Sequence, residues 1–247
     1  RTLLQLERLM QMQVKKVKGF SLLELIIVIA IIGAMSATAF GPFTKWRAER
    51  LVRSQATEVA SMIRSIYSQV QRGQYSFVQF QIYRDRDAEE IVLETNGLKL
   101  NKFTDLVRDK WDGSTQKPFH KFEERCGMDI NWDDEGATSD ELTVNQIRID
   151  ETKILVGLFD EDTINDDGGS ICFSKDGTYY SADGMFLKSN ASGDFEAVEN
   201  LFICQRNSGV ACLLDGDGPT QKNFFRIEWS RFGSINLYKW ANDWVTQ

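Results

Sequence analysis

Lys15–Pro42 reads KKVKGFSLLELIIVIAIIGAMSATAFGP, and this run sets the architecture of the chain. Phe20 to Phe40 is twenty-one residues carrying one charge, Glu24. At about 1.5 Å per helical residue it spans about 31 Å, enough to cross the hydrocarbon core of a bilayer. Lys15, Lys16 and Lys18 crowd its start with no acid between them, and Gly19 stands at the border. A carboxylate inside a membrane helix costs about 2.5–3.5 kcal/mol at mid-bilayer and less near an interface. One account of Glu24 is that it lies close to the boundary and snorkels into the headgroups.

The order of residues supplies a second account. Gly19, then Phe20-Ser21-Leu22-Leu23-Glu24, then an unbroken apolar run and Pro42 beyond it, resembles the processing site of type IV prepilins and type II secretion pseudopilins. The resemblance implies a prepilin peptidase cutting the Gly19–Phe20 bond and N-methylating Phe20. It also implies that Glu24 meets the terminal amine of a neighbouring subunit during filament assembly. An ammonium and a carboxylate neutralise each other far better in lipid than either fares alone. The partners implied are other pilin or pseudopilin subunits, the prepilin peptidase and an inner-membrane assembly platform. The location implied is the bacterial inner membrane, single-pass, with the C-terminal domain periplasmic and assembled into a filament.

Outward from this segment, the 247 residues leave room for one globular domain. The net charge is −7, yet the first forty residues hold five basic side chains against two acids, so the excess of acid lies beyond them. An acidic globular part is poorly suited to gripping a phosphate backbone, which argues against nucleic acid. Charge on the two flanks does not orient the helix by itself, because Lys45, Arg47, Arg50 and Arg53 follow it closely. Cys126, Cys172, Cys204 and Cys212 all lie past the helix, with no Cys-x-x-Cys and with His120 as the sole histidine. That is almost no material for zinc, and an even count outside the cytoplasm suggests disulfides, with three pairings open. Cys204 and Cys212 flank the turn signal Asn207-Ser208-Gly209, so they either close a hairpin as a disulfide or sit as small buried residues in facing strands.

Residues 1–19 are expected to be a leader absent from the mature fold, with Met12 as one start that leaves eight residues through Gly19. Residues 20–41 read as the membrane or filament-core helix and 42–73 as its amphipathic continuation. Val52, Ala56, Val59, Ile63, Ile66 or Tyr67, and Val70 follow a helical rhythm, Pro42 is expected to kink the helix, and Gly73 to stop it. Residues 74–247 read mainly as short strands. Val78, Phe80 and Ile82 alternate, as do Ile91 and Leu93. Phe103–Trp111 reads as a short helix, Asp112–Asp140 as an excursion from the sheet that, like Asp183–Asn200, looks like an insertion, and the slip at Asn145-Gln146 as a bulge. Three hairpins are expected: 171–180, 201–214 around Asn207-Ser208-Gly209, and 224–240. The fold class is α+β, a long N-terminal helix with a membrane-spanning first half, packed on a C-terminal antiparallel sheet domain.

Within the family the tail resembles the H-type minor pseudopilins, the GspH/FimT group. The residues concerned are Ile171-Cys172-Phe173-Ser174-Lys175-Asp176-Gly177 and Ile227-Glu228-Trp229-Ser230-Arg231-Phe232-Gly233-Ser234-Ile235. Against this, the basic C-terminal residues expected of the DNA-binding fimbrial branch are not there; the tail offers Lys239, then Asp243. Two acid-rich loops, Asp160–Gly168 and Asp215–Gly218, invite calcium, but neither has the register of a calcium loop, and solvated Asp-Gly turns are far commoner. No cofactor is expected, and the absence of nucleophile and phosphate-cradling motifs argues against an enzyme. The rival reading is an exported soluble periplasmic binding domain whose ordinary signal peptide is cleaved after Ala39, since Ala37-Thr38-Ala39 fits a small-x-small signal.

Overall fold

In the computed structural model, helix α1 runs from Leu22 to Gln71. The structure describes residues 20–101, 126, 145–158, 168–175, 177–180, 186–189, 195–207, 211–212, 214–215, 218–219, 221–230 and 234–247. The chain divides into two units, Arg1–Trp46 and Arg47–Gln247. Both ends of α1 are capped by local chemistry. The Ser21 hydroxyl accepts the Glu24 backbone N–H at 3.2 Å, satisfying one of the orphan donors of the first turn. At the other end Gly73 takes φ 72°. Its N–H donates to the Val70 carbonyl and that of Gln74 to the Gln69 carbonyl, both at 3.0 Å. That pair of bonds is the Schellman arrangement, and glycine reaches the left-handed region at little steric cost.

In the second unit the helical stripe anticipated from the spacing is buried. Val52, Ala56, Val59, Ile63, Ile66 and Val70 are at most 3% exposed, and Tyr67 packs against the same cluster half-buried. Two antiparallel sheets complete that core. The first joins β1 (Phe77–Asp85), β2 (Glu90–Leu98), β3 (Asn145–Asp150), β5 (Gly169–Ser174) and β6 (Gly177–Tyr180), in the order β3-β2-β1-β5-β6. The second joins β4 (Ile154–Gly157), β9 (Asn200–Gln205), β12 (Phe225–Trp229), β13 (Ile235–Trp240) and β14 (Trp244–Thr246), in the order β14-β13-β12-β9-β4. Two short ribbons, β7 with β8 (Leu187–Ser189, Phe195–Ala197) and β10 with β11 (Leu214–Asp215, Gly218–Pro219), lie outside both sheets. Period-2 patterning puts Val78, Phe80 and Ile82 of the first sheet and Leu201, Ile203, Phe225 and Ile227 of the second into one cluster with the helix. The architecture is α+β and pilin-like, a helix packed on a C-terminal antiparallel β domain.

The opposite faces of the sheets are also covered. On the first sheet, Cys172 is bonded to Cys126, whose carbonyl accepts from Gln79 Nε2 at 3.4 Å and from the Ser170 hydroxyl. On the second, Leu155, Phe202, Cys204, Cys212 and Phe224 form a separate cluster, with Trp240 and Trp244 packed against it. Cys204 and Cys212 are disulfide-bonded with Cα atoms 5.9 Å apart.

Two expectations meet the structure differently. Residues 201–206 do not pair with the described residues of 210–214: β9 sits between β4 and β12, and Leu214–Asp215 pairs with Gly218–Pro219. The Cys204–Cys212 bond ties β9 to the segment beyond it without a ladder, because both edges of β9 are already occupied by β4 and β12. No bulge interrupts β3, which pairs residue for residue with β2 from Asn145↔Thr95 to Asp150↔Glu90. Within Asp183–Asn200, Phe186 and Val198 enter the core on either side of the β7–β8 ribbon. The hairpins at 171–180 and 224–240 form, as β5–β6 and β12–β13. The helix expected at Phe103–Trp111 and most of Asp112–Asp140 lie outside the described residues.

The crossing from the first sheet to the second is the tight segment Glu151–Lys153, between two edge strands. Glu151 is buried, and its Oε2 is 2.7 Å from Arg84 Nε. Its carbonyl accepts Arg206 Nη1 at 3.0 Å, so one residue is tied to both sheets. Glu151→Ala strands the Arg84 guanidinium. Because Arg84 is 32% exposed, the expected loss is about 2 kcal/mol, below the range for a wholly buried pair. A urea midpoint that drops with unchanged slope checks it; an unchanged midpoint would show that the pair contributes nothing.

Candidate processing and assembly site

The first turn of α1 carries the residues singled out by the sequence. Phe20 is 80% exposed and Gly19 lies outside the described residues. Glu24 is exposed in the first helical turn, and it is the only ionisable side chain between Phe20 and Thr44. Its position is three residues after the cap, where the positive end of the helix dipole favours a carboxylate by about 0.3–1 kcal/mol. Ser21 is the functional neighbour that the reading of the sequence missed. The signal was Ser-x-x-Glu ahead of an apolar run, which is a capping-box spacing.

Apart from Glu24, the first turns of α1 have no polar face through Met35. Leu22, Leu23, Leu25, Ile26, Ile27, Val28, Ile29, Ile31, Ile32 and Met35 are all between 43% and 76% exposed. Positions so closely spaced cover every azimuth of a 3.6-residue helix, so no face of the segment is buried within its own unit. Burying a large aliphatic side chain is worth about 1.5–3 kcal/mol, so covering this surface by lipid or other helices would release on the order of 10–20 kcal/mol. Among the described residues no single helix is long and apolar enough to cross a membrane, while Leu22–Ser36 and Gly41–Gln71 reach that standard together. Pro42 lies inside α1, where it supplies no backbone N–H, and the Thr44 hydroxyl donates to the Gly41 carbonyl at 2.9 Å.

Residues 14–40 match the family model of the prokaryotic N-terminal methylation motif. The chain carries a type IV prepilin-type signal. The signal supports a pilin-like protein, processed by a prepilin peptidase and assembling with other pilin-type subunits. It indicates a structural subunit rather than an enzyme, with a membrane-anchored N-terminal helix. No curated protein and no solved structure matches the chain.

Among the described residues no group of three His, Cys, Asp or Glu side chains is placed to hold a metal ion. Of the two acid-rich loops, 160–167 lies outside the described residues, and Asp215 pairs with Gly218 in the β10–β11 ribbon. A groove of 730 Å³ runs beside α1 and β3, lined by residues such as Arg50, Ser54, Thr57, Ser61 and Gln146. Its lining also holds Arg53, Glu58 and the apolar Met62 and Ile147.

Proposed function

We propose that this chain is a minor pilin or pseudopilin, cleaved after Gly19, N-methylated on Phe20 and assembled into a type II secretion pseudopilus or a type IV pilus. The observation that carries the reading is a helix apolar on every side, with one carboxylate in its first turn, directly after a glycine bordered by lysines. Glu24 sets register by neutralising the amine of a neighbouring subunit's Phe20, and the subunits pack helix to helix in an arrangement that does not close. The domain beyond α1 is periplasmic and decorates the filament, which accords with two disulfides in the fold. Membership of the H-type minor group is supported by the two hairpins that carry the quoted residues, β5–β6 and β12–β13.

The test is the N-terminal residue and intact mass of the protein recovered from membranes of a host with a prepilin peptidase. The expected chain starts at Phe20 and carries one added methyl. A chain starting at Phe40 in the soluble fraction would overturn the reading in favour of an exported domain. An uncut chain would leave a plain membrane anchor and remove the special role of Glu24.

A further inference from the structure

The only charged side chains in the twenty-four residues between Glu24 and Glu49 are Lys45 and Arg47, both cationic. Both are exposed, and neither makes an ion pair among the described residues. The nearest acid in sequence, Glu49, is already paired with Lys239. Directly beside Lys45, Phe43 and Trp46 are 55% and 53% exposed, with ring centroids 5.9 Å apart. An exposed aromatic pair next to unneutralised cations is the composition of a membrane–water interface. Indole and phenyl rings settle at headgroup level, and cations attract anionic lipid. The spacing agrees: from Leu22 to Phe43 the helix contour is about 32 Å, close to the hydrocarbon thickness of a bilayer.

We propose that Phe43, Lys45 and Trp46, extended in sequence by Arg47, form an interfacial anchor that collects anionic phospholipid headgroups on the far side of the membrane. The proposal rests on the membrane-anchored reading above. The anchor fixes the depth of the helix and must be released when the subunit leaves the bilayer, so lipid composition sets part of the cost of extraction. An acidic protein partner would use the same charges, but it would not call for a ring pair at this distance from Glu24.

The experiment uses the full chain in nanodiscs of phosphatidylcholine doped with spin-labelled phosphatidylglycerol or spin-labelled phosphatidylcholine. The wild-type chain is expected to immobilise the anionic label preferentially at low salt. The preference should fall by about fivefold in the Lys45→Gln/Arg47→Gln variant and similarly at high salt. Lys99→Gln, an exposed cation of the second unit, should leave it unchanged. Phe43→Ala/Trp46→Ala should weaken immobilisation of both labels. Equal immobilisation of the two labels by the wild type overturns the proposal, as does a preference that survives loss of Lys45 and Arg47. Loss of filament entry by the charge variant with its lipid preference intact assigns the patch to a protein partner and likewise overturns it. Failure of the chain to enter nanodiscs at all would instead sink the membrane-anchored reading.

Discussion

Glu24→Val is expected to leave the folded domain and the membrane anchor intact while reducing filament incorporation about a hundredfold or more. In the isolated chain Glu24 is exposed and the backbone bond to Ser21 survives the change. The intrinsic loss is therefore only the dipole contribution of about 0.3–1 kcal/mol. In lipid the signs reverse. The wild-type carboxylate costs energy in the bilayer, and that cost falls when it meets an ammonium from a neighbour. On the assembly role proposed above, valine removes the cost of staying in the membrane and leaves the neighbour's Phe20 amine without a counter-charge. Breaking such a pair costs about 3–5 kcal/mol where water is excluded, which sets the hundredfold figure. Glu24→Asp should restore part of the incorporation and Glu24→Gln little of it. The measurement is the fraction of subunit in sheared filaments against the fraction in membranes. Wild-type incorporation by the valine variant would refute the assembly role.

The second large effect belongs to the core. Trp229→Ala should destabilise the domain by about 3–5 kcal/mol, enough to unfold a marginal one. Trp229 is 1% exposed, and its ring meets that of Phe186 edge-on at 6.0 Å; Phe186 in turn lies 6.5 Å from Phe80 on the opposing sheet. The side chain therefore helps hold the two sheets together. Its indole Nε1 is buried without a hydrogen-bond partner among the described residues, a defect that costs about 1–3 kcal/mol. Trp229→Phe removes the defect together with one ring of packing, and the two changes oppose each other. The phenylalanine variant should fall within about 1.5 kcal/mol of wild type. Urea unfolding of both variants decides the matter. Equal, large losses would mean that packing alone counts and the unpartnered nitrogen is harmless.

The processing segment was legible because its signals are local: a glycine, an acid five residues on, and apolar residues without interruption. The cue for Ser21 is just as local, a Ser-x-x-Glu spacing in which the hydroxyl caps the Glu24 N–H. The 201–214 region was misjudged for a non-local reason. A turn signal between two apolar runs predicts a hairpin only when both strands have a free edge, and edge occupancy is a property of the whole sheet.

By itself, then, the sequence determined the helix and its stop at Gly73, the apolar anchor with its single carboxylate, and the β5–β6 and β12–β13 hairpins. Each depends on contacts a few residues apart, where periodicity and turn chemistry act directly. Tertiary structure alone decided that the strands divide into two sheets and that β9 lies between β4 and β12. It also chose the partners Cys126–Cys172 and Cys204–Cys212 among three pairings, and brought Arg84 to Glu151 across 67 positions. Those choices follow from burying one helix stripe and two sheet faces at once, a condition that no local window of residues can express.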